Sequence, residues 1–171
     1  DGSRIFFVAA RARGEEEEKA RKDGDDAIFV DEGPNGQAAG QWNDLWSLDV
    51  ETRTEVRITE RDDRIGSFSV APDGRRVAFA ARTENRRNQG NLSELFLLDI
   101  ASGETRQLTE NRAPEGRVLW APDGRLILYE APSDDEWELM LDKLWLLDVE
   151  SSEKRMVSGD FQGNIRNFVW T

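Results

Sequence analysis

Short apolar runs separated by polar turns fill this chain from end to end. Arg4–Ala9, Leu45–Val50, Gly66–Val70, Val77–Ala81, Leu95–Ile100, Leu126–Tyr129 and Leu144–Val149 are rich in β-branched, aromatic and aliphatic residues. Between them lie clusters of Gly, Pro, Asp and Ser. Runs this short, bounded this way, read as strands.

The pattern repeats. Ala71-Pro72-Asp73-Gly74-Arg75 returns 50 residues later as Ala121-Pro122-Asp123-Gly124-Arg125, and Asp1-Gly2-Ser3-Arg4 opens the chain as a shortened copy. Leu45-Trp46-Ser47-Leu48-Asp49-Val50 returns as Leu95-Phe96-Leu97-Leu98-Asp99-Ile100 and as Leu144-Trp145-Leu146-Leu147-Asp148-Val149. Ile58-Thr59-Glu60 and Leu108-Thr109-Glu110 keep the same register. Self-similarity at one period marks a repeat architecture.

Each repeat predicts four strands. Ala-Pro-Asp-Gly fits a type I turn, with Pro second and Gly fourth, and gives Pro72, Asp73, Gly74, Pro122, Asp123 and Gly124 a structural role. Asp49, Asp99 and Asp148 end their strands where an Asx-type bond to the next turn is expected. The Leu-Trp-x-Leu runs are apolar on both faces, so each needs a sheet above and below it. An all-β fold follows: a β-propeller fragment of about three four-stranded antiparallel blades. A β-sandwich would not require in-register copies. With strands named A to D from the axis outward, blade I supplies B to D over 1–60, with a long B–C insertion at 11–43. Blade II covers 61–110 and blade III 111–160, and 161–171 reads as the first strand of a further blade. Trp46, Trp120, Trp145 and Trp170 fall at repeat-equivalent strand positions and are expected between blades.

Composition narrows the chemistry. The 171 residues carry 23 Lys+Arg against 35 Asp+Glu, a formal net charge of −12. An acidic chain disfavours nucleic acid and anionic membrane surfaces as partners. No apolar run approaches the roughly 20 residues of a membrane-spanning helix. There is no cysteine and no histidine. Thiol chemistry, a Ser-His-Asp triad and imidazole metal ligands are therefore excluded from this chain. No cofactor and no metal site is expected, and no catalytic residue is assigned. Periplasmic or secreted and cytoplasmic locations both stay open.

The Pro-Asp-Gly turns and the Leu-Trp-x-Leu-Asp strands resemble the WD40-like propeller repeats of TolB-type proteins and of the N-terminal propellers of prolyl-oligopeptidase-family (S9) serine peptidases. The segment 22–32 followed by Trp42-Asn43-Asp44-Leu45-Trp46 looks more like the peptidase branch, where a strand-like insertion precedes the Leu-Trp strand. That resemblance implies a non-catalytic cap that gates and contacts peptide substrate. The α/β-hydrolase domain of the parent would then lie outside this chain, which has no Gly-x-Ser-x-Gly elbow. The alternative is a TolB-like protein–protein interaction scaffold. The strand offset, with no A strand at the start and a lone one at the end, fits either a piece of a longer chain or a strand-swapped homodimer that closes the ring.

Connections locate the binding face. B–C connections leave one face of a propeller, A–B and C–D turns the other. The B–C connections Arg11 to Asn43, Arg82 to Ser93 and Ala131 to Lys143 differ widely in length, and insertions gathered on one face mark a binding surface. Candidate residues are Trp42, the basic tract Arg82, Arg86 and Arg87, which suits a peptide carboxylate, and Trp137, a partner-contact aromatic or part of a short amphipathic helix with Met140 and Leu141. Glu15 to Glu18 read as a solvated charge run.

Overall fold

The computed structural model describes residues 2–25, 41–85, 87–110, 113–134 and 136–171. Among these residues there are three antiparallel sheets. The first has β1 (Arg4–Ala10), β2 (Asn43–Asp49) and β3 (Glu55–Arg57), in that order. The second has β4 (Arg64–Val70), β5 (Arg76–Arg82), β6 (Glu94–Asp99) and β7 (Thr105–Gln107). The third has β8 (Val118–Trp120), β9 (Leu126–Pro132), β10 (Asp142–Asp148) and β11 (Lys154–Met156). These are the blades of a partial β-propeller. Helix α1 (Glu15–Lys22) lies in the first B–C connection. By compactness the chain forms two units, Asp1–Arg64 with Thr83–Gly90, and Ile65–Arg82 with Asn91–Thr171.

Sequence chemistry explains the turns. Gly74 and Gly124 each donate N–H to Ala71 O and Ala121 O at 2.9 and 3.0 Å, and both have φ of 68°. That left-handed conformation suits glycine, while Pro72 and Pro122 preset the preceding φ. Asp73 and Asp123 accept the N–H of Arg75 and Arg125 at 2.9 Å. At the C–D turns, Asp49 Oδ1 accepts Glu51 and Thr52, Asp99 Oδ1 accepts Ala101 and Ser102, and Asp148 Oδ1 accepts Glu150 and Ser151.

A second device recurs in every blade. The first leucine of each C strand donates N–H to a hydroxyl just past the D strand: Leu45 to Thr59 at 3.0 Å, Leu95 to Thr109 at 2.8 Å, Leu144 to Ser158 at 3.2 Å. The hydroxyl gives the strand's first N–H a partner where the D strand has ended, and in blade II Glu115 Oε2 accepts the same N–H at 3.0 Å.

Blades II and III stack within the second unit. Ala78, Ala80 and Leu95 of one pack with Val118, Trp120, Ile127, Tyr129, Leu147 and Val149 of the other in one buried cluster. Small alanines on blade II leave room for the aromatics of blade III, so volumes interdigitate. Polar contacts lock the register: Val118 and Trp120 N–H donate to Ser67 and Ser69 Oγ, and the Arg76 guanidinium lies 4.9 Å from the Trp120 ring centre.

Several expectations change. The segment 161–171 forms no ladder, because none of the described strands runs beside it. It nevertheless lies where a following first strand would: Ile165 N–H donates to Asp142 O at 3.1 Å as Glu115 N–H does to Ser93 O at 3.0 Å. Phe168 is buried on the outer face of blade III, against Leu128 and Leu146. Trp120 is buried, Trp46 and Trp145 are half-buried, and Trp170 is exposed rather than core. Glu15 to Glu18, read as a solvated charge run, form the first turn of α1, a helix with no buried residue.

Candidate functional site

The B–C connections carry the irregular structure. The first holds α1, and the second and third hold 3-10 turns at Arg87–Leu92 and Trp137–Leu139. The A–B and C–D ends carry only tight turns. The helix arises from its charges: acidic residues fill its positive end and Lys19, Arg21 and Lys22 its negative end. Arg13–Glu17 and Glu18–Lys22 pair at four-residue spacing.

In the first unit the base of the long insertion is closed by a charge network. Arg11 N–H donates to Trp42 O at 2.9 Å, joining the two stems. The Arg11 guanidinium grips Asp44 through Nε and Nη2 at 3.0 Å, and reaches Asp62 at 2.7 Å and the Arg61 carbonyl at 2.6 Å. Arg57 also pairs with Asp44, through Nη2 to Oδ2 at 3.0 Å. Hydrogen bonds to Asp44 and then to Asp62 raise the Arg11 pKa above its ordinary value. Asp44 is almost wholly buried, a state a carboxylate holds only when paired. Beside it Asp63 bonds to Arg61 Nε at 2.7 Å, yet burial pushes its pKa up.

Asn85 of the second connection donates from Nδ2 to Gln41 O at 3.2 Å. The structure thus brings the stem beside half-buried Trp42 together with part of the second B–C connection. Arg82 ends β5, half-buried. Arg86 and the side chain of Arg87 lie outside the described residues, as does most of 22–32. Trp137 begins a single 3-10 turn and is half-buried with Met140 and Leu141, while Leu139 points to solvent. A turn this short replaces the amphipathic helix considered for the segment.

Arg11, Asp44, Arg57 and Asp62 were not singled out from sequence. The available signal was the residue before each C-strand leucine: Asp44, Glu94 and Lys143 are all charged. Asp44 and Lys143 are buried and Glu94 half-buried. Lys143 Nζ donates to Phe161 O, the repeat equivalent of the Arg61 carbonyl that Arg11 caps. What this end does chemically is hold charge in fixed, neutralised pairs around loop stems. Among the described residues no group of three or more acidic side chains is placed to hold a metal ion. Nor is any helix there long and apolar enough to cross a membrane.

No protein-family profile matches the chain, and no curated protein matches it in sequence. Solved structures do match in fold. TolB from Acinetobacter baumannii aligns at a TM-score of 0.57 and 18% identity, over 71% of this chain and 28% of that one. The β-propeller domain of the trilobed protease from Pyrococcus furiosus, described as having an open velcro topology, aligns at 0.56 and 17%, over 91% and 40%. The acylaminoacyl peptidase of Pyrococcus horikoshii aligns at 0.55 and 14%, over 92% and 23%. The blades therefore have the fold of TolB-type and S9-peptidase propellers, and the chain spans well under half the length of each of these structures.

Proposed function

We propose that this chain is the non-catalytic propeller region of a prolyl-oligopeptidase-like peptidase, which binds a peptide or protein segment on its B–C connections and gates access to a hydrolase domain carried outside these 171 residues. The observation that carries this reading is the distribution of connections. Among the described residues the helix and the 3-10 turns sit on B–C loops; Arg11 and Asp44 brace the stem of the first, and Asn85 ties the second to it. Rigid stems under variable loops are how a scaffold presents a binding surface. The fold match to peptidase propellers, two of which align with over nine-tenths of this chain, is consistent with that setting. A TolB-like interaction scaffold is the second reading, since the fold matches TolB as well as it matches the peptidase propellers.

The test is calorimetric titration with a proline-containing octapeptide, with a free or an amidated C-terminus. The free carboxylate should bind more tightly, Arg82→Ala and Trp137→Ala should each weaken binding about tenfold, and aminoacyl and prolyl esters should remain intact. Ester turnover by the purified chain, or affinity untouched by both substitutions, would overturn the reading.

A further inference from the structure

The third B–C connection enters β10 through Asp142 and Lys143, and a buried cation fixes it there. Lys143 is 7% exposed, and its Nζ donates to the Phe161 carbonyl in the connection that follows β11. Asp142 N–H donates to Asn164 Oδ1 at 2.9 Å, and Ile165 N–H returns to Asp142 O at 3.1 Å. All of these residues belong to the second compact unit. The turn is closed by its own backbone: Leu139 N–H donates to Glu136 O at 3.3 Å and Met140 N–H to Trp137 O at 3.1 Å. Asp134 Oδ1 accepts the Glu136 N–H at 2.8 Å. A loop held at its stem and closed at its tip presents its side chains in one arrangement.

What this loop presents is apolar. Trp137, Leu139, Met140 and Leu141 make up four of the five residues 137–141, and none of them is buried. Leu139 is 88% exposed, the most exposed large apolar side chain among the described residues. A single exposed leucine is ordinary, but four large apolar residues on one turn form a patch that water solvates poorly. The rim is anionic. Residues 133–142 hold five acidic side chains and no lysine or arginine. Asp134, Glu136 and Glu138 are exposed, whereas Lys143, the first cation after them, is buried against a carbonyl.

We propose that this turn docks a basic, apolar peptide segment. Aliphatic side chains of the segment cover Leu139 and Trp137, and lysines or arginines between them meet Glu136 and Glu138. The inference rests on the peptide-binding reading above and adds the charge that the bound segment carries. Charge also decides among occupants. A second copy of this chain would bring a net charge of −12 to an acidic rim, and phosphate or anionic lipid would be repelled in the same way. Complementary charge at the rim sets selectivity and association rate, while the aromatic ring and the leucine supply buried area.

Two amidated octapeptides test it by calorimetric titration of the purified chain: one alternates lysine and leucine, the other carries glutamine in place of lysine. The lysine peptide should bind about tenfold more tightly, and its advantage should shrink as salt rises from about 0.05 M to about 0.5 M. Glu136→Lys with Glu138→Lys should abolish the advantage, and Leu139→Ser should weaken both peptides about fivefold. All three positions are exposed, so the far-ultraviolet dichroism of these variants should match that of the wild type. Equal affinity for the two peptides, or an advantage that survives the double charge reversal, would overturn the proposal. If the proline-containing octapeptide still binds in an Arg82-dependent way while the lysine and glutamine peptides bind alike, only this inference falls. If none of the three peptides binds, the peptide-binding reading falls with it.

Discussion

Arg106 donates from Nη2 to the backbone carbonyl of Val149 at 2.8 Å, and the two residues belong to neighbouring blades. One long side chain from a D strand thus bonds across the stack to the C–D end of the next sheet. Its stem lies beside Leu97, so packing accompanies the polar contact. Arg106→Ala should lower unfolding stability by about 1 kcal/mol, since the guanidinium is partly exposed and the bond is correspondingly screened. Urea denaturation measures it. No change would mean the blade stack rests on apolar contact alone.

The C–D turns make a second prediction. Arg53, Gly103 and Ser152 hold equivalent positions with φ of 58°, 73° and 59°. A side chain in that region costs about 1–2 kcal/mol, and only blade II has glycine there. Arg53→Gly and Ser152→Gly should each raise the denaturation midpoint, by up to about 1 kcal/mol after the entropy glycine adds to the unfolded chain. Gly103→Ala should lower it by a similar amount.

Asp44 should be sensitive to loss of its partners. Arg11→Ala leaves the buried carboxylate with Arg57 alone and frees the stem of the insertion. A cost of about 2 kcal/mol is expected, with faster proteolysis between residues 11 and 43. Arg11→Lys should recover little, because the bidentate grip needs a planar fork. Full recovery by lysine would reduce the network to simple charge balance.

Stability should fall in acid, for a reason that can be assigned. Asp99 lies below its ordinary pKa of 3.8 because Ser102 N–H and hydroxyl, then Ala101 N–H, bond to its charged form. Asp49 and Asp148 shift the same way, through Thr52 and through Ser151 with Arg125. A depressed folded value means the stabilisation is complete above the ordinary value and disappears as pH falls through the lower one. Asp63 runs opposite: burial raises it, so its contribution is complete below the ordinary value and disappears as pH rises. Urea midpoints taken from about pH 5 to about pH 3 should therefore decline. The decline should be shallower in Asp99→Asn and steeper in Asp63→Asn. An unchanged slope in Asp99→Asn would contradict the assignment.

The blades were legible in the sequence because their signal is apolar and repeated. Leu45, Leu95 and Leu144 hold one position of the repeat, and the chain writes it three times. Strand beginnings were less legible. β2 starts at Asn43 and β10 at Asp142, earlier than the apolar runs, because Asp44 and Lys143 are polar residues that enter the sheet only with partners distant in sequence. The helix α1 has no buried residue, so no apolar periodicity could reveal it. The candidate face was legible only as loop length. Its braces are pairs such as Arg11 with Asp62, brought together by the sheet and invisible to spacing along the chain.

Mapping amide chemical shifts during titration with the same octapeptide tests the central claim most directly. The account predicts perturbations among residues of the B–C connections, Trp42, Arg82 and Trp137, with the turn amides of Gly74 and Gly124 unmoved. Shifts concentrated at those turns, with the B–C side silent, would contradict it.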